Sequence, residues 1–176
     1  MKILMHCCCG PCAVAPLQKL QEDGHRLIAY FYNPNIQPYR EYRLRRNAWQ
    51  ELVKIKGLSS LIDDEYSLQE WLAAVAQNPA ERCEYCYRLR LERAALVAQK
   101  KGCEAFTTSL LVSPYQNHEM LKALGQEIAA PKGLTFYYED FRPLFRQGQQ
   151  AARQLGLYMQ KYCACIYSEQ ERYYKG

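Results

Sequence analysis

The residues best suited to chemistry in this sequence are its nine cysteines, an odd number that cannot pair completely within one chain. Four of them fall within residues 7–12, which read Cys-Cys-Cys-Gly-Pro-Cys. The Gly10-Pro11 step predicts a turn, which would let the adjacent thiols of Cys8 and Cys9 approach one metal centre. In a cytosolic protein, cysteines at such short spacings more often bind metal or carry out redox chemistry than build a disulfide framework.

Cys83 and Cys86 form a second motif, Cys-Glu-Tyr-Cys, at the predicted start of a helix. Residues three apart share one helix face, and the free N–H groups of the first turn favour thiolate over thiol. Two thiolates from this motif and two from residues 7–12 would complete a four-thiolate site. Such a site suits zinc or an iron–sulfur cluster, and spacing alone does not distinguish them.

Cys163 and Cys165 stand too close for both sulfurs to ligate one metal comfortably, but they can close a small, strained and therefore labile disulfide. Cys103 stands alone and is expected in the core. His6 is expected to be a packed, hydrogen-bonded residue. Asp140 follows the last predicted strand, where it could act as an oxygen ligand or proton donor, or equally as a helix-capping or arginine-paired carboxylate.

The elements that must position these residues alternate between strand and helix. Predicted strands cover residues 2–6, 26–32, 58–62, 105–109 and 134–138. Predicted helices cover residues 12–23, 39–56, 67–77, 84–101, 113–129 (with Ser113 as N-cap) and 147–155. This order predicts an α/β fold with an open, mostly parallel sheet of about five strands and helices on both faces. The cysteine-rich site would lie at the carboxyl edge of that sheet, where ligands gather in open α/β folds.

The 176 residues are 49% hydrophobic and 23% charged, which predicts one soluble α/β domain over residues 1–176, with the closely spaced C-terminal cysteines in segment 156–176. The net charge of +5 permits an anionic partner without demanding one. No apolar stretch approaches the roughly 20 residues of a membrane-spanning helix, and the first residues lack the apolar core of a signal peptide. We therefore expect a cytoplasmic protein with no membrane partner.

Residues 39–49 combine four arginines with three aromatic residues. Tyr42, Arg43 and Arg46 share a helix face, and such a face can hold phosphates and stack unpaired bases, or it can simply be solvated. The polar loop of residues 111–118 is a candidate substrate wall. Cysteines stand at the strand–helix junction where an ATP-pyrophosphatase would carry its phosphate-binding loop, which disfavours adenylation chemistry.

Six segments of the chain, in order and from residue 2 to about residue 171, resemble epoxyqueuosine reductases of the QueH type. They are HCCCGPC (6–12), FYNPNIQPYREY (31–42), ERCEYCYRLRLE (81–92), TTSLLVSPYQNH (107–118), FYYEDFRP (136–143) and QKYCACIYSEQ (160–170). The resemblance implies a HUP-like fold and a cytoplasmic enzyme that acts without cobalamin. It would remove the epoxide oxygen from epoxyqueuosine at the tRNA wobble position by a two-electron reduction, which leaves an alkene and water.

The resemblance also implies a ligand set for a [4Fe–4S] cluster, namely Cys8, Cys9, Cys83 and Cys86. It implies an adjacent mononuclear iron or other metal, for which Cys12 stands where an extra ligand would fall, and it implies that Cys163 and Cys165 are a redox-active pair.

The resemblance and the residues together suggest a mechanism, which we state as a hypothesis. The iron site would polarise the epoxide, and Asp140 or Tyr138 would protonate the departing oxygen. Electrons from a separate donor would arrive through the cluster, with the Cys163/Cys165 dithiol as a candidate route. Two rival functions remain at this point. One is a non-catalytic tRNA-binding module stabilised by zinc. The other is a sulfur-inserting tRNA enzyme, which would need a nucleotide-binding phosphate loop that this sequence lacks.

Overall fold

Five parallel strands form the central sheet of the computed structural model, which describes residues 1–176. The strands are β1 (Lys2–His6), β2 (Arg26–Phe31), β3 (Ser59–Ile62), β4 (Ala105–Thr108) and β5 (Thr135–Phe136). Their spatial order is β3-β2-β1-β4-β5, and every neighbouring pair is parallel. The predicted open, parallel α/β sheet is therefore confirmed.

Helices cover both faces of this sheet. They are α1 (Gly10–Glu22), α2 (Tyr39–Ile55), α3 (Leu68–Val75), α4 (Arg82–Lys100), α5 (His118–Ala129), α6 (Phe145–Gln154) and α7 (Ile166–Tyr173). Helix α1 packs against α2 and α6, while α4 packs against α5. Strand order reverses between β1 and β4, because the chain leaves β1 towards β2 but returns to β4 on its other side. That reversal is where open α/β sheets bind ligands.

The central strand β1 is buried on both faces, as its uninterrupted apolar residues require. Ile3, Leu4 and Met5 have no exposed surface. Immediately after this strand, α1 begins at Gly10, whose Cα lies against the backbone of α2. A Cβ at that position would stand 2.9 Å from the carbonyl oxygen of Ala48, so only glycine allows the two helices to meet there.

The largest differences from the prediction concern α5, β5 and the C-terminal segment. Helix α5 begins at His118 with Asn117 as its N-cap, not at residue 113, because Ser113 Oγ accepts a hydrogen bond from the Tyr115 N–H and closes a turn. Strand β5 is only Thr135–Phe136. Helix α7, in the cysteine-containing C-terminal segment, was not predicted. No helix in the structure combines the length and apolar character needed to cross a bilayer.

Candidate metal centre

A cavity of about 470 Å³ lies at the carboxyl edge of the sheet, beside the residues that follow β1 and β4. Three separate segments of the chain line it: the turn after β1, the first turn of α4, and the C-terminal segment before α7. Each contributes two cysteines, which are Cys8 and Cys12, Cys83 and Cys86, and Cys163 and Cys165. The cavity therefore gathers the three short-spaced cysteine motifs that the sequence analysis singled out.

The turn between β1 and α1 places three sulfur atoms together. The Sγ atoms of Cys8, Cys9 and Cys12 all lie within 4.8 Å of one another, and all three residues are buried. Cys9 is the N-cap of α1, and its Sγ accepts a hydrogen bond from the Cys12 N–H at 3.4 Å. Ser109, just beyond β4, accepts from the Cys8 N–H at 3.0 Å and donates to Cys8 Sγ at 3.4 Å. A strand end, a helix start and a serine thus fix a set of soft ligands.

The three thiols differ in acidity because they share their hydrogen bonds. Hydrogen bonds from the thiols of Cys12 and then Cys9 lower the pKa of Cys8 well below its usual range. Burial raises the pKa of Cys9, and the hydrogen bond to Cys8 raises the pKa of Cys12. One thiolate is therefore stabilised by two neighbouring thiols. A bound cation would favour the charged form of all three, since metals are ligated by thiolates.

The Cys-Glu-Tyr-Cys motif occupies the first turn of α4. Cys86 is buried, and its Sγ accepts a hydrogen bond from Trp71 Nε1 at 3.1 Å, while Cys83 is exposed. Burial raises the pKa of Cys86 to about 11, partly offset by the positive charge of Arg90 and the Trp71 hydrogen bond. Arg90, one helical turn further on, is also buried and donates from Nε to the Cys86 carbonyl at 2.8 Å. This half of the cavity therefore supplies a fixed positive charge beside its thiols.

The C-terminal cysteines close the cavity opposite these two motifs. Gln116 Nε2 donates to Cys163 Sγ at 3.2 Å, which ties the pair to the loop before α5. Cys165 is buried and packs in a small cluster with Trp71 and Cys86. None of the nine cysteines is joined to another in the structure.

Arg45 is a member of the site that the sequence analysis missed. Its side chain is 1% exposed, lines the cavity and pairs with Glu41 through Nε at 2.7 Å. Its two terminal nitrogens donate to the carbonyls of Cys163 and, at 3.0 Å, Tyr162. One signal was available in the sequence: Arg45 precedes Trp49 by four residues and Leu52 by seven, spacings that put it on the same face of α2 as these apolar side chains.

The proposed RNA-binding face of α2 is only partly exposed. Tyr42 is 1% exposed and packs against Phe31, so the prediction that its ring contacts RNA is corrected. Arg46 is paired with Asp64 at 2.7 Å. Arg43 is exposed and makes no ion pair. The helix therefore presents Arg43 to an anionic partner, with Arg46 available only in competition with Asp64.

Three other cysteine and histidine predictions concern positions outside the cavity. Cys7 is fully buried, and its thiol donates to the Met5 carbonyl; burial raises its pKa to about 12. Cys103 is a core residue, as predicted. His6 is buried and hydrogen-bonded to Thr108 Oγ1 at 3.0 Å, also as predicted. Cys12 therefore lies beside the thiols of Cys8 and Cys9, and Cys7 does not.

Asp140 does not line the cavity, and neither does Tyr138. The Asp140 carboxylate accepts hydrogen bonds from Arg142 at 2.6 and 2.8 Å, and these hold its pKa down at about 2. It is therefore ionised at any pH well above 2 and carries no proton to donate. We expect Asp140→Asn to change the rate of the epoxide reduction that the resemblance implies by less than about 2-fold between about pH 5 and 9. A rate loss above about 10-fold with a displaced pH profile would instead place this carboxyl in the reaction.

This chain is similar in sequence to epoxyqueuosine reductases over nearly its whole length. A family model described as "Epoxyqueuosine reductase QueH" matches residues 3–171. The epoxyqueuosine reductase QueH of Dehalococcoides mccartyi is 34% identical over 174 residues, covering 99% of this chain and 96% of that protein. The QueH of Thermotoga maritima is 35% identical over 180 residues, covering 97% of this chain and 91% of that protein.

Among solved structures, a predicted subunit of a tRNA methyltransferase from Methanocaldococcus jannaschii has a similar fold. Its TM-score is 0.53 at 12% identity, covering 87% of this chain and 76% of that one. At this identity the likeness concerns the fold alone, and it agrees with the predicted open α/β sheet. The sequence matches over nearly the whole chain are more specific, and together with the six-cysteine cavity they establish that this chain belongs to the epoxyqueuosine reductase QueH family.

Proposed function

We propose that this protein reduces epoxyqueuosine in tRNA to queuosine, in the cytoplasm and without cobalamin. The observation that carries the proposal is the cavity that gathers six cysteines from three segments of a QueH-family chain. The reaction takes two electrons and two protons. Both C–O bonds of the epoxide break, a carbon–carbon double bond forms, and the oxygen leaves as water.

The donor set suits an iron–sulfur cluster, since the group that could hold a metal, Cys8, Cys9 and Cys12, consists of thiols alone. The cluster ligands we propose are the adjacent pair and the CxxC pair, namely Cys8, Cys9, Cys83 and Cys86. Cys12 would be left for an adjacent metal ion, since its Sγ lies within 4.8 Å of those of Cys8 and Cys9. When bound, these groups would supply electron transfer and Lewis-acid polarisation of the epoxide.

Two buried arginines of the chain offset the negative charge of this thiolate-rich site. Arg45 is 1% exposed and Arg90 is 3% exposed, and both line the cavity. In a cavity shielded from water, fixed positive charges act over a longer range than they do at a surface. They favour ionised thiols in the resting protein and attract the anionic backbone of an approaching RNA.

The Cys163–Cys165 dithiol is the proposed internal source of the two electrons. Oxidation of two thiols to one disulfide releases two electrons and two protons, which matches the demand of the epoxide reduction. Cys163 is exposed, so an external reductant can reach it to restore the dithiol, while Cys165 lies inside against Cys86. This arrangement supports a relay between the surface and the cavity.

The proposed RNA surface predicts a salt-dependent effect. Replacing Arg43 with glutamate is expected to weaken binding of tRNA and to reduce the slope of log affinity against log salt by about 0.7 to 0.9, the loss of one phosphate contact. Arg26→Glu is the matched control, because Arg26 is exposed at the amino end of β2, at the opposite edge of the sheet. Binding is measured by fluorescence anisotropy across a salt titration, and an unaltered slope for Arg43→Glu would show that this helix face is merely solvated.

The proposed activity is tested with protein purified without oxygen. Iron, sulfide and zinc are determined, and tRNA carrying epoxyqueuosine is incubated with the protein and a chemical reductant. We expect about four irons and four sulfides per chain and conversion to queuosine, detected by mass spectrometry of the nucleosides. A colourless protein that holds only zinc after anaerobic cluster reconstitution, and binds tRNA without converting it, would favour the tRNA-binding module stabilised by zinc.

A further inference from the structure

Tyr115 has the most exposed ring among the large hydrophobic side chains of this protein, with 84% of its surface accessible, and it lines the cavity. It lies in the loop that precedes α5. Its backbone N–H donates to Ser113 Oγ at 3.2 Å, but its hydroxyl makes no hydrogen bond. The ring therefore contributes little to the fold, although it stands at the opening of the site. An aromatic surface left in water at such a position is available to a ligand.

The loop that carries Tyr115 is anchored on its neighbouring residues. The Tyr87 hydroxyl donates to Gln116 Oε1 at 2.6 Å and accepts from the Asn117 N–H at 3.1 Å. Gln116 in turn donates to Cys163 Sγ at 3.2 Å. The ring thus projects from a fixed backbone whose position is tied to a cavity cysteine. A ligand that covers the ring would therefore bind in a defined register with the reacting centre.

A second aromatic ring backs the first. The rings of Tyr115 and Phe145 have centroids 6.2 Å apart and an interplanar angle of 84°, so they form a corner, and Phe145 also lines the cavity. Open π-faces are the groups on which the unpaired bases of single-stranded RNA stack.

We propose that Tyr115, supported by Phe145, is the stacking platform for an unpaired nucleobase that flanks the modified nucleotide of the substrate. The inference rests on the proposed function, since it takes tRNA as the ligand. The cavity of about 470 Å³ must also hold the proposed cluster and metal, so it leaves room for no more than one modified base, and the adjacent bases must lie at its rim. Tyr115 is the exposed ring at that rim.

The test measures the affinity of an anticodon stem-loop RNA that carries epoxyqueuosine. Tyr115→Ala is expected to weaken binding by about 10-fold, whereas Tyr115→Phe, which keeps the ring, stays within about 2-fold of the wild type. Tyr174→Ala is the matched control, because Tyr174 is 69% exposed and does not line the cavity. The salt dependence of binding should be the same for wild type and Tyr115→Ala, since stacking involves no phosphate contact.

Abasic RNAs then identify the stacked base. Removing one of the two bases beside the modified nucleotide should weaken wild-type binding by about the same factor as Tyr115→Ala, and the two changes together should cost no more than either alone. The platform is refuted if Tyr115→Ala binds like the wild type, or if neither abasic RNA shows this coupling. The platform is also refuted if Tyr115→Ala binds the RNA normally and only needs a higher concentration of reductant for activity. That result would mark the surface as a docking site for an electron-donor protein. Wild-type protein that neither binds nor converts the RNA would overturn the proposed function together with the platform.

Discussion

Cys86→Ser is expected to empty the proposed cluster site and to lower epoxyqueuosine reduction by at least about 100-fold. Cys86 is buried at the start of α4 and lines the cavity opposite the turn that holds Cys8. Serine keeps an oxygen that can accept the hydrogen bond from Trp71 Nε1, so the local packing survives. A hydroxyl is nevertheless a poor ligand for iron, and the site loses one of its four proposed thiolates.

The measurement is the iron and sulfide content of anaerobically purified protein, together with the rate of queuosine formation. Cys103→Ser is the matched control, because Cys103 is also a buried cysteine but lies before β4, at the amino edge of the sheet. The control should retain iron and activity. If Cys86→Ser kept a full complement of iron and its absorbance, the ligand set proposed here would be wrong.

Arg45→Met is expected to lower the free energy of unfolding by about 3 to 5 kcal/mol, because it leaves the buried Glu41 carboxylate without its cationic partner. The Tyr158 hydroxyl still donates to Glu41 at 2.6 Å, but it carries no charge. The carbonyls of Tyr162 and Cys163 also lose their donors, which loosens the segment that carries the C-terminal cysteines. Urea denaturation of the metal-loaded protein gives the free energy.

A double variant separates the charge from the packing. Arg45→Met combined with Glu41→Gln removes both charges, so it should recover more than half of the lost free energy. Arg40→Met, an exposed arginine on the same helix, should stay within about 0.5 kcal/mol of the wild type. If the double variant were as unstable as Arg45→Met alone, the stability would derive from the hydrogen bonds to the C-terminal segment and not from the ion pair.

Local patterns were sufficient for most of the fold. The apolar residues of Lys2–His6 predict β1 to the residue, and Tyr39 marks the observed start of α2. The position of the cysteine turn also follows from local signals, because Gly10-Pro11 after a buried strand indicates a strand–helix junction. The Cys83–Cys86 motif lines the same cavity as the turn after β1, in agreement with the prediction. Its role as a cluster ligand stays a prediction.

The remaining features depend on contacts between distant parts of the chain. Arg45 is buried only because Glu41 and the carbonyls more than 100 positions away satisfy its guanidinium, and arginine otherwise predicts an exposed position. Tyr42 shares a helix face with exposed arginines by spacing, yet the position of β2 decides that its ring packs inward. The predicted start of α5 was wrong because a serine followed by a proline suits both a helix N-cap and a turn. In the structure Ser113 closes a turn.

The turn after β1 and the segment before α7, which both line the cavity, are synthesised early and late respectively. Gln160 Nε2 contacts Cys12 Sγ across 148 positions of the chain. Cys12 is therefore synthesised roughly 7 to 30 s before Gln160. Throughout that interval the nascent chain carries reactive thiols with no closed site around them. The wall that Gln160 and the C-terminal cysteines provide therefore forms only after residues 160–165 have been synthesised.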